Sequence, residues 1–376
     1  MTHVVVAHPS PDLYGSDRQL LESITAIVGR GGTVDLLLPA DGPLLPLARD
    51  RGAQVLVASF PVLRKRLLHP LRLPGLLWRS LTGTVRATRW LRRVRPDVLY
   101  VNTVTIPVWV LAGRLARVPV LVHVHEAEDG GRLVAAGLAA PLLLARRVVA
   151  NSAAAAAVLV AALPRLAART EVVHNGVPAP PAPPADAAHA AGAPWRLAAV
   201  GRLSPRKGTD VALEAVALLA ADGLDVHLSV AGTPFEGYEW FVEQLQERAA
   251  QPDVAGRVEL LGYVHPTWDL LAASDVVLVP SRVEPFGNTA VEALLARRPV
   301  VASRTQGLAE VVRDGDTGLL VPPDDPRALA DAVASLLRDD DRRSALARAG
   351  EDDAHDRFST ARYSARLLQV IDEVIG

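Results

Sequence analysis

Short apolar runs alternate with longer stretches in which apolar residues recur every three or four positions. The runs predict strands at His3–His8, Thr33–Pro39, Gln54–Ser59, Val98–Asn102, Val120–His125, Val148–Asn151 and Glu171–His174. Several are near-continuous Val/Leu, as in parallel strands covered on both faces. Between them lie amphipathic stretches such as Ser16–Val28 and Thr82–Arg93. Strand–helix alternation of this kind builds βαβ units and parallel sheets. The pattern stops at residues 178–194, PAPPAPPADAAHAAGAP, which has nothing to bury and whose prolines favour extended chain. It then restarts, with strands expected at Leu197–Gly201, His227–Ala231, Val258–Leu261, Val276–Pro280, Val300–Ser303 and Leu319–Val321, and a helical tail over Arg327–Gly376. The expected organisation is an α/β domain over 1–178, a Pro/Ala-rich linker over 179–194 and a second α/β domain over 195–357. In open parallel sheets, ligands bind beyond the carboxyl ends of the strands. Two such domains facing each other would place a site in the cleft between them.

Composition narrows the function. A chain of 376 residues exceeds one ordinary core. A net charge of −1 gives no global preference for nucleic acid or membrane. The absence of cysteine excludes disulfides, thiolate metal sites and a cysteine nucleophile, and fits a reducing, cytoplasmic location. The N-terminus has no basic region ahead of its apolar run and reads as a strand. Arg146 and Arg147 cut the most apolar segment, Leu133–Pro164, into pieces too short to span a bilayer, and these read as buried helix and strand.

Five segments carry candidate chemistry. In Pro280-Ser-Arg-Val-Glu-Pro-Phe-Gly-Asn-Thr-Ala-Val-Glu292, a strand should end at Pro280 and a helix begin near Asn288. The amides of Gly287, Asn288 and Thr289 would then face an anion such as a diphosphate, because a helix N-terminus favours negative charge. Glu284 in the loop and Glu292 in the first helical turn are carboxylates suited to sugar and ribose hydroxyls. The competing reading makes Thr289–Glu292 a capping box and Glu284 a solvated loop acid. In Gly201-Arg-Leu-Ser-Pro-Arg-Lys-Gly208, Arg202 and Lys207 suit phosphate oxygens and a leaving diphosphate; otherwise they are surface cations. Val120-Leu-Val-His123-Val-His125-Glu126 puts two histidines on one strand face. That is too few ligands for a metal site, and His125, nearer the carboxyl end, is the better site residue. The loop holding Gly15, Ser16 and Asp17 opens the first helix. It would touch phosphate or acceptor, or Ser16 and Gln19 would simply form a capping box. Finally, Arg64–Arg95 has ten Lys or Arg and no acidic residue, with Trp78 and Trp90 interleaved. It reads as a surface for anionic membrane or as a solvated helix face. No nucleic-acid recognition fold is visible.

Together these segments resemble glycosyltransferase family 4, whose members have the GT-B fold: two Rossmann-like domains with parallel sheets facing across a cleft. The most specific element is E-x7-E, Glu284 to Glu292, within S-x-x-E-P-F-G-N-x-x-x-E-A. Gly201-Arg-Leu with Lys207-Gly208, Asp275-Val-Val-Leu-Val-Pro-Ser281, Pro299-Val-Val-Ala-Ser303, Glu310-Val-Val and Thr317-Gly-Leu-Leu-Val support it, as does His174-Asn-Gly-Val177 before the linker. The resemblance implies a retaining transferase that takes a nucleoside-diphosphate sugar as donor and needs neither metal nor further cofactor. Glu292 would bind the ribose and Glu284 the donor sugar. Arg202 and Lys207 would neutralise the diphosphate with the Gly287–Thr289 amides, and His125 would lie by the reacting carbon. A C-terminal helix at about 358–376 would return to the first, acceptor-binding domain. The acceptor would be a sugar, a lipid-linked glycan or a small molecule.

Three positions depart from the family pattern. Tyr14 stands for the first of paired glycines, Gln306 for the first glycine of a Gly-Gly pair, and Arg297 for a helix-ending glycine. Two other functions share the fold: a sugar-nucleotide epimerase, and a binding protein on a decayed transferase scaffold. The intact glutamates and basic pair oppose both.

Overall fold

The computed structural model describes residues 1–63, 73–126, 132–186, 189–190, 192–235 and 237–376. The chain divides into two compact units, Met1–Gly176 with Thr360–Gly376, and Val177–Ser359.

The first unit holds a seven-stranded sheet made of β1 (His3–Ala7), β2 (Thr33–Leu38), β3 (Gln54–Val57), β4 (Val98–Val101), β5 (Val120–Val124), β6 (Arg147–Ala150) and β7 (Thr170–Val172). The order is β3-β2-β1-β4-β5-β6-β7, and all pairings are parallel. Alternate residues serve the two faces: Val5 and Ala7 join one core, Val4 and Val6 the other. The second core also takes the C-terminal helix, Thr360–Ile375. Its Tyr363, Leu367, Val370, Ile371 and Val374 recur at helical spacing and pack on Val4, Val6, Leu20 and Ile24. Arg366 ties this helix to Glu171 and also pairs with Glu373 of the same helix.

The second unit holds a six-stranded parallel sheet, β10-β9-β8-β11-β12-β13, from β8 (Trp195–Val200), β9 (Val226–Ala231), β10 (Val258–Gly262), β11 (Val276–Val279), β12 (Val300–Ser303) and β13 (Leu319–Val321). In each sheet the order reverses beside the first strand, between β1 and β4 and between β8 and β11. Such switch points leave a crevice at the carboxyl ends of the strands.

Four strands stop one residue short of the apolar runs, leaving His8, Asn102, His125 and Asn151 just beyond β1, β4, β5 and β6. His8, Asn102 and Asn151 still donate one backbone bond across the sheet. The polar side chains are thus carried by rigid backbone. The Pro/Ala-rich stretch falls within the second unit and is fastened to it. Arg298 donates to the Ala185 carbonyl at 2.8 Å, Arg297 pairs with Asp186, and His189 stacks on Trp195 with ring centroids 3.4 Å apart. Arg297 adopts a left-handed backbone (φ +51) without being glycine, held by Glu351 at 2.5 Å.

Candidate active site

In the second unit the loops after β8 and β11 are laced together. Arg282 and Val283 donate backbone bonds to the Arg206 carbonyl at 2.8 and 3.3 Å. The approach demands glycine at 208: φ is +66, and a Cβ there would lie 2.0 Å from the Pro280 carbonyl oxygen. The result brings Lys207 Nζ onto Glu284 Oε2, which the Ser281 hydroxyl also reaches at 3.3 Å. Glu284 is buried despite its charge. Its backbone is clamped from the loop after β12: its N–H donates to Gln306 Oε1 at 3.1 Å and its carbonyl accepts from Gly307 at 3.0 Å. Gln306, at φ +37, thus does with a side chain what a glycine cannot.

The helix that follows runs from Asn288 to Leu295, with Gly287 (φ +113) as its N-cap. A Cβ at Gly287 would meet Leu308 at 2.6 Å. This corrects one sequence expectation. Thr289 lies inside the helix, so no Thr289–Glu292 capping box forms, and Glu292 sits in the second turn. There its Oε2 accepts from the Thr267 hydroxyl at 3.1 Å. Arg202 follows β8 and lies against Phe235, its guanidinium carbon 2.6 Å from the ring centroid.

In the first unit the polar residues at the strand ends form a chain. Asp17 Oδ2 accepts from the Tyr14 N–H at 2.7 Å, and its Oδ1 lies 2.6 Å from His8 Nε2. His8 Nδ1 lies 2.9 Å from Asn102 Nδ2, and Asn102 Oδ1 lies 2.9 Å from His125 Nε2. Asp17, His8 and Asn102 are buried. The expected Ser16–Gln19 capping box is replaced by this arrangement, because the helix begins at Gly15 with Tyr14 as N-cap and Asp17 as its third residue. His125 Nδ1 is buried without a hydrogen-bond partner among the described residues. Burial, reinforced by His123 and His8, lowers the His125 pKa well below the usual histidine range. His123 lies against His125 with ring centroids 4.1 Å apart and planes tilted by 37°, and is the packed histidine: its Nδ1 meets the Tyr100 hydroxyl at 2.6 Å, and burial lowers its pKa to about 3.

The structure therefore brings together Asp17 and His125, and separately Lys207 and Glu284. Sequence reasoning passed over His8, Asn102, Thr267 and Glu126. The available signal was their position: His8 and Asn102 are polar residues ending apolar runs. Glu126 is gripped by the Thr103 hydroxyl and, at 3.0 Å, by the His125 N–H, and burial raises its pKa. Arg64–Arg72 of the basic stretch lies outside the described residues. Over its remainder, the helix Leu73–Val94, Trp90 turns inward against Trp109 while Trp78 is 67% exposed. Among the described residues no helix is long and apolar enough to cross a membrane, and no cluster of His, Asp or Glu is placed to hold a metal.

Residues 14–179 match the family described as Glycosyltransferase Family 4, and residues 194–339 match Glycosyl transferases group 1. The chain belongs to glycosyltransferase family 4. Family-4 relatives include a D-inositol 3-phosphate glycosyltransferase of Corynebacterium glutamicum, 40% identical over 187 residues, or 48% of this chain and 44% of the relative. The lipopolysaccharide core biosynthesis glycosyltransferase LpsE of Rhizobium meliloti is 33% identical over 172 residues, 46% of this chain and 48% of its own. These matches span about half the length of the curated relatives. Solved structures extend the likeness in fold to the whole chain. Anabaena HepE in complex with UDP and glucose superposes with a TM-score of 0.83 at 22% identity, covering 99% of this chain and 100% of that one. Sucrose-phosphate synthase from Thermosynechococcus elongatus gives 0.77 at 20% identity, covering 100% and 99%. The fold is GT-B.

Proposed function

We propose that this family-4 chain is a retaining glycosyltransferase that moves a sugar from a nucleoside diphosphate to an acceptor hydroxyl in glycan or glycolipid synthesis at the cytoplasmic face of a membrane. The observation that carries this reading is the Lys207–Glu284 pair, held by two glycine-dependent loops beside the N-terminus of helix Asn288–Leu295. A cation, a helix N-terminus and a clamped carboxylate suit a diphosphate next to a hydroxylated ring.

In this reading Arg202, Lys207 and the amides of Gly287, Asn288 and Thr289 bind the diphosphate. Glu284 accepts from sugar hydroxyls and Glu292 from ribose hydroxyls. Gly15 and Ser16 offer the start of the first helix to phosphate or acceptor, and His125 serves the acceptor side. The acceptor oxygen bonds to the anomeric carbon from the side the diphosphate leaves. The carbon–phosphate-oxygen bond breaks, and the acceptor proton passes to that phosphate oxygen. Lys207 and Arg202 supply the charge that the leaving group needs, so the step is assigned no metal.

UDP is the first nucleotide to test, since HepE is solved with it. Calorimetric titration of UDP, GDP and TDP should show one micromolar ligand. Glu292→Ala should weaken it by about 1.5–3 kcal/mol, ten- to a hundredfold. Equal binding by the variant would reject the ribose assignment.

The helix Leu73–Val94 supports peripheral membrane contact. Leu77, Trp78 and Leu81, 68%, 67% and 60% exposed, form an apolar stripe flanked by Arg79, Arg86 and Arg89. Replacing those arginines by glutamine should reduce binding to vesicles containing phosphatidylserine; undiminished binding would reject the contact.

A further inference from the structure

The chain Asp17–His8–Asn102–His125 has a direction. An ionised carboxylate only accepts hydrogen bonds. Asp17 takes the Tyr14 N–H on one oxygen, so the contact at 2.6 Å on the other is a proton donated by His8 Nε2. The NH2 group of Asn102 faces His8 Nδ1 at 2.9 Å, so that nitrogen is an acceptor and the ring proton of His8 stands on Nε2. Asn102 must turn its carbonyl oxygen the other way, toward His125 Nε2 at 2.9 Å, and that oxygen requires a proton on Nε2. The tautomer of His125 is thereby set from Asp17, three hydrogen bonds away, and the buried Nδ1 that finds no partner is left as an acceptor.

The chain is rigidly mounted. His8 and Asn102 follow β1 and β4, neighbours at the switch point of the sheet, and the Asn102 N–H donates to the Ala7 carbonyl at 3.0 Å. All three links are short, and none reaches the surface except at His125, which is half-buried. Packing alone would be served by apolar groups; four polar side chains joined end to end under a reactive position are otherwise an expense of burial.

We propose that Asp17, His8 and Asn102 are positioning residues that hold the half-buried His125 ring as the neutral Nε2–H tautomer, in the orientation from which it serves the bound sugar substrate. The proposal rests on the glycosyltransferase reading for the identity of that substrate, but the tautomer relay stands or falls by itself. On this proposal Asp17, buried and bonded to His8 and the Tyr14 amide, acts through His8 and not by contact with phosphate or acceptor.

The test is nitrogen-15 NMR of the full chain with labelled histidine, together with transfer kinetics. Wild-type His125 and His8 should both show Nε2 protonated and Nδ1 bare. Asp17→Asn keeps the shape but lets an amide face His8. It should reverse or mix the His125 tautomer and lower kcat at least tenfold, while UDP affinity stays within twofold. His125→Ala should lower kcat as far, and adding Asp17→Asn to it should cost nothing more. Wild-type His125 protonated on Nδ1, or an Asp17→Asn variant with unchanged tautomer and reduced kcat, would overturn the relay. If Asp17→Asn does not fold, the wild-type spectrum and Asn102→Asp, which cannot donate to His8, decide the same point. A tautomer that follows Asp17 while His125→Ala transfers normally would leave the relay standing and sink the role given to His125.

Discussion

The two units place their polar groups at equivalent spots and build them from opposite materials. In each, the residues gather past the strands flanking the switch point, β1 and β4 in one, where His125 after β5 and Asp17 of the first helix join them, and β8 and β11 in the other. The second unit puts charges there: Lys207 against Glu284, with Arg282 bracing the loops through Asp210 and Asp324. The first unit puts neutral hydrogen-bonding groups there, anchored by one buried carboxylate. Charge suits a site that must hold a diphosphate and receive it as a leaving group. A neutral chain suits a site that must orient a hydroxyl without competing for its proton. On the proposed reading one topology serves both needs, and the loop chemistry decides which.

The largest expected effect tests the charged side. Lys207→Met should lower kcat/KM by about 10²–10³, the usual loss on removing one preorganised electrostatic contact. Steady-state transfer assays would show it, and a loss below about fivefold would mean that Arg202 and the helix amides suffice. Next in size is Gly208→Ala. A Cβ 2.0 Å from the Pro280 carbonyl oxygen, at φ +66, must push the loops apart. Urea unfolding should show a loss of about 1–3 kcal/mol, and nucleotide affinity should fall with it. Stability lost without affinity would separate the lacing from the site.

The neutral side is tested by pH. The folded pKa of His123 is about 3, and His125 is shifted the same way. In the unfolded chain both take up a proton below about pH 6.5. The unfolded state therefore binds more protons in that window, and stability falls as pH drops from about 6.5 toward 3, by up to about 1.4 kcal/mol per pH unit for each histidine. Above that window neither contributes a slope. Denaturant titrations at about pH 6 and pH 5 should show His123→Asn with a shallower dependence than the wild type; an equal slope would assign the acid sensitivity to other groups. The smallest effect belongs to Thr267→Val, which removes one hydrogen bond to Glu292. Nucleotide binding should weaken by about 0.5–1.5 kcal/mol with kcat nearly unchanged, as calorimetry beside kinetics would record.

The same contrast explains what was legible in the sequence. The charged site is contiguous: Gly201–Gly208 and Pro280–Glu292 each carry their residues, their glycines and their neighbouring strand in one stretch, so spacing reveals them. The neutral site is scattered over His8, Asp17, Asn102 and His125, and only folding assembles it; a histidine ending an apolar run looks the same whether it packs or acts. Helix starts were harder still. Thr289 and Ser16 are good capping residues on paper, yet Gly287 and Tyr14 take the cap positions, because the first is forced into a left-handed turn and the second hands its amide to Asp17. Gln306 read as a missing glycine, and only the structure shows its side chain holding Glu284.

The return of the final helix to the first unit bears on how the protein is made. The chain leaves that unit at Gly176 and comes back at Thr360, and Val177 pairs with Ser359 where the two strands of traffic pass. On the ribosome, the second unit has all of its residues before the first has its own: Tyr363, Leu367, Val370 and Val374, which pack over Val4 and Val6, are made only after Ser359. Domains ordinarily complete themselves from the N-terminus onward during synthesis. Here the order of completion is reversed: the part of the first unit's core which Thr360–Ile375 covers stays open until this helix has been made, after the whole of the second unit.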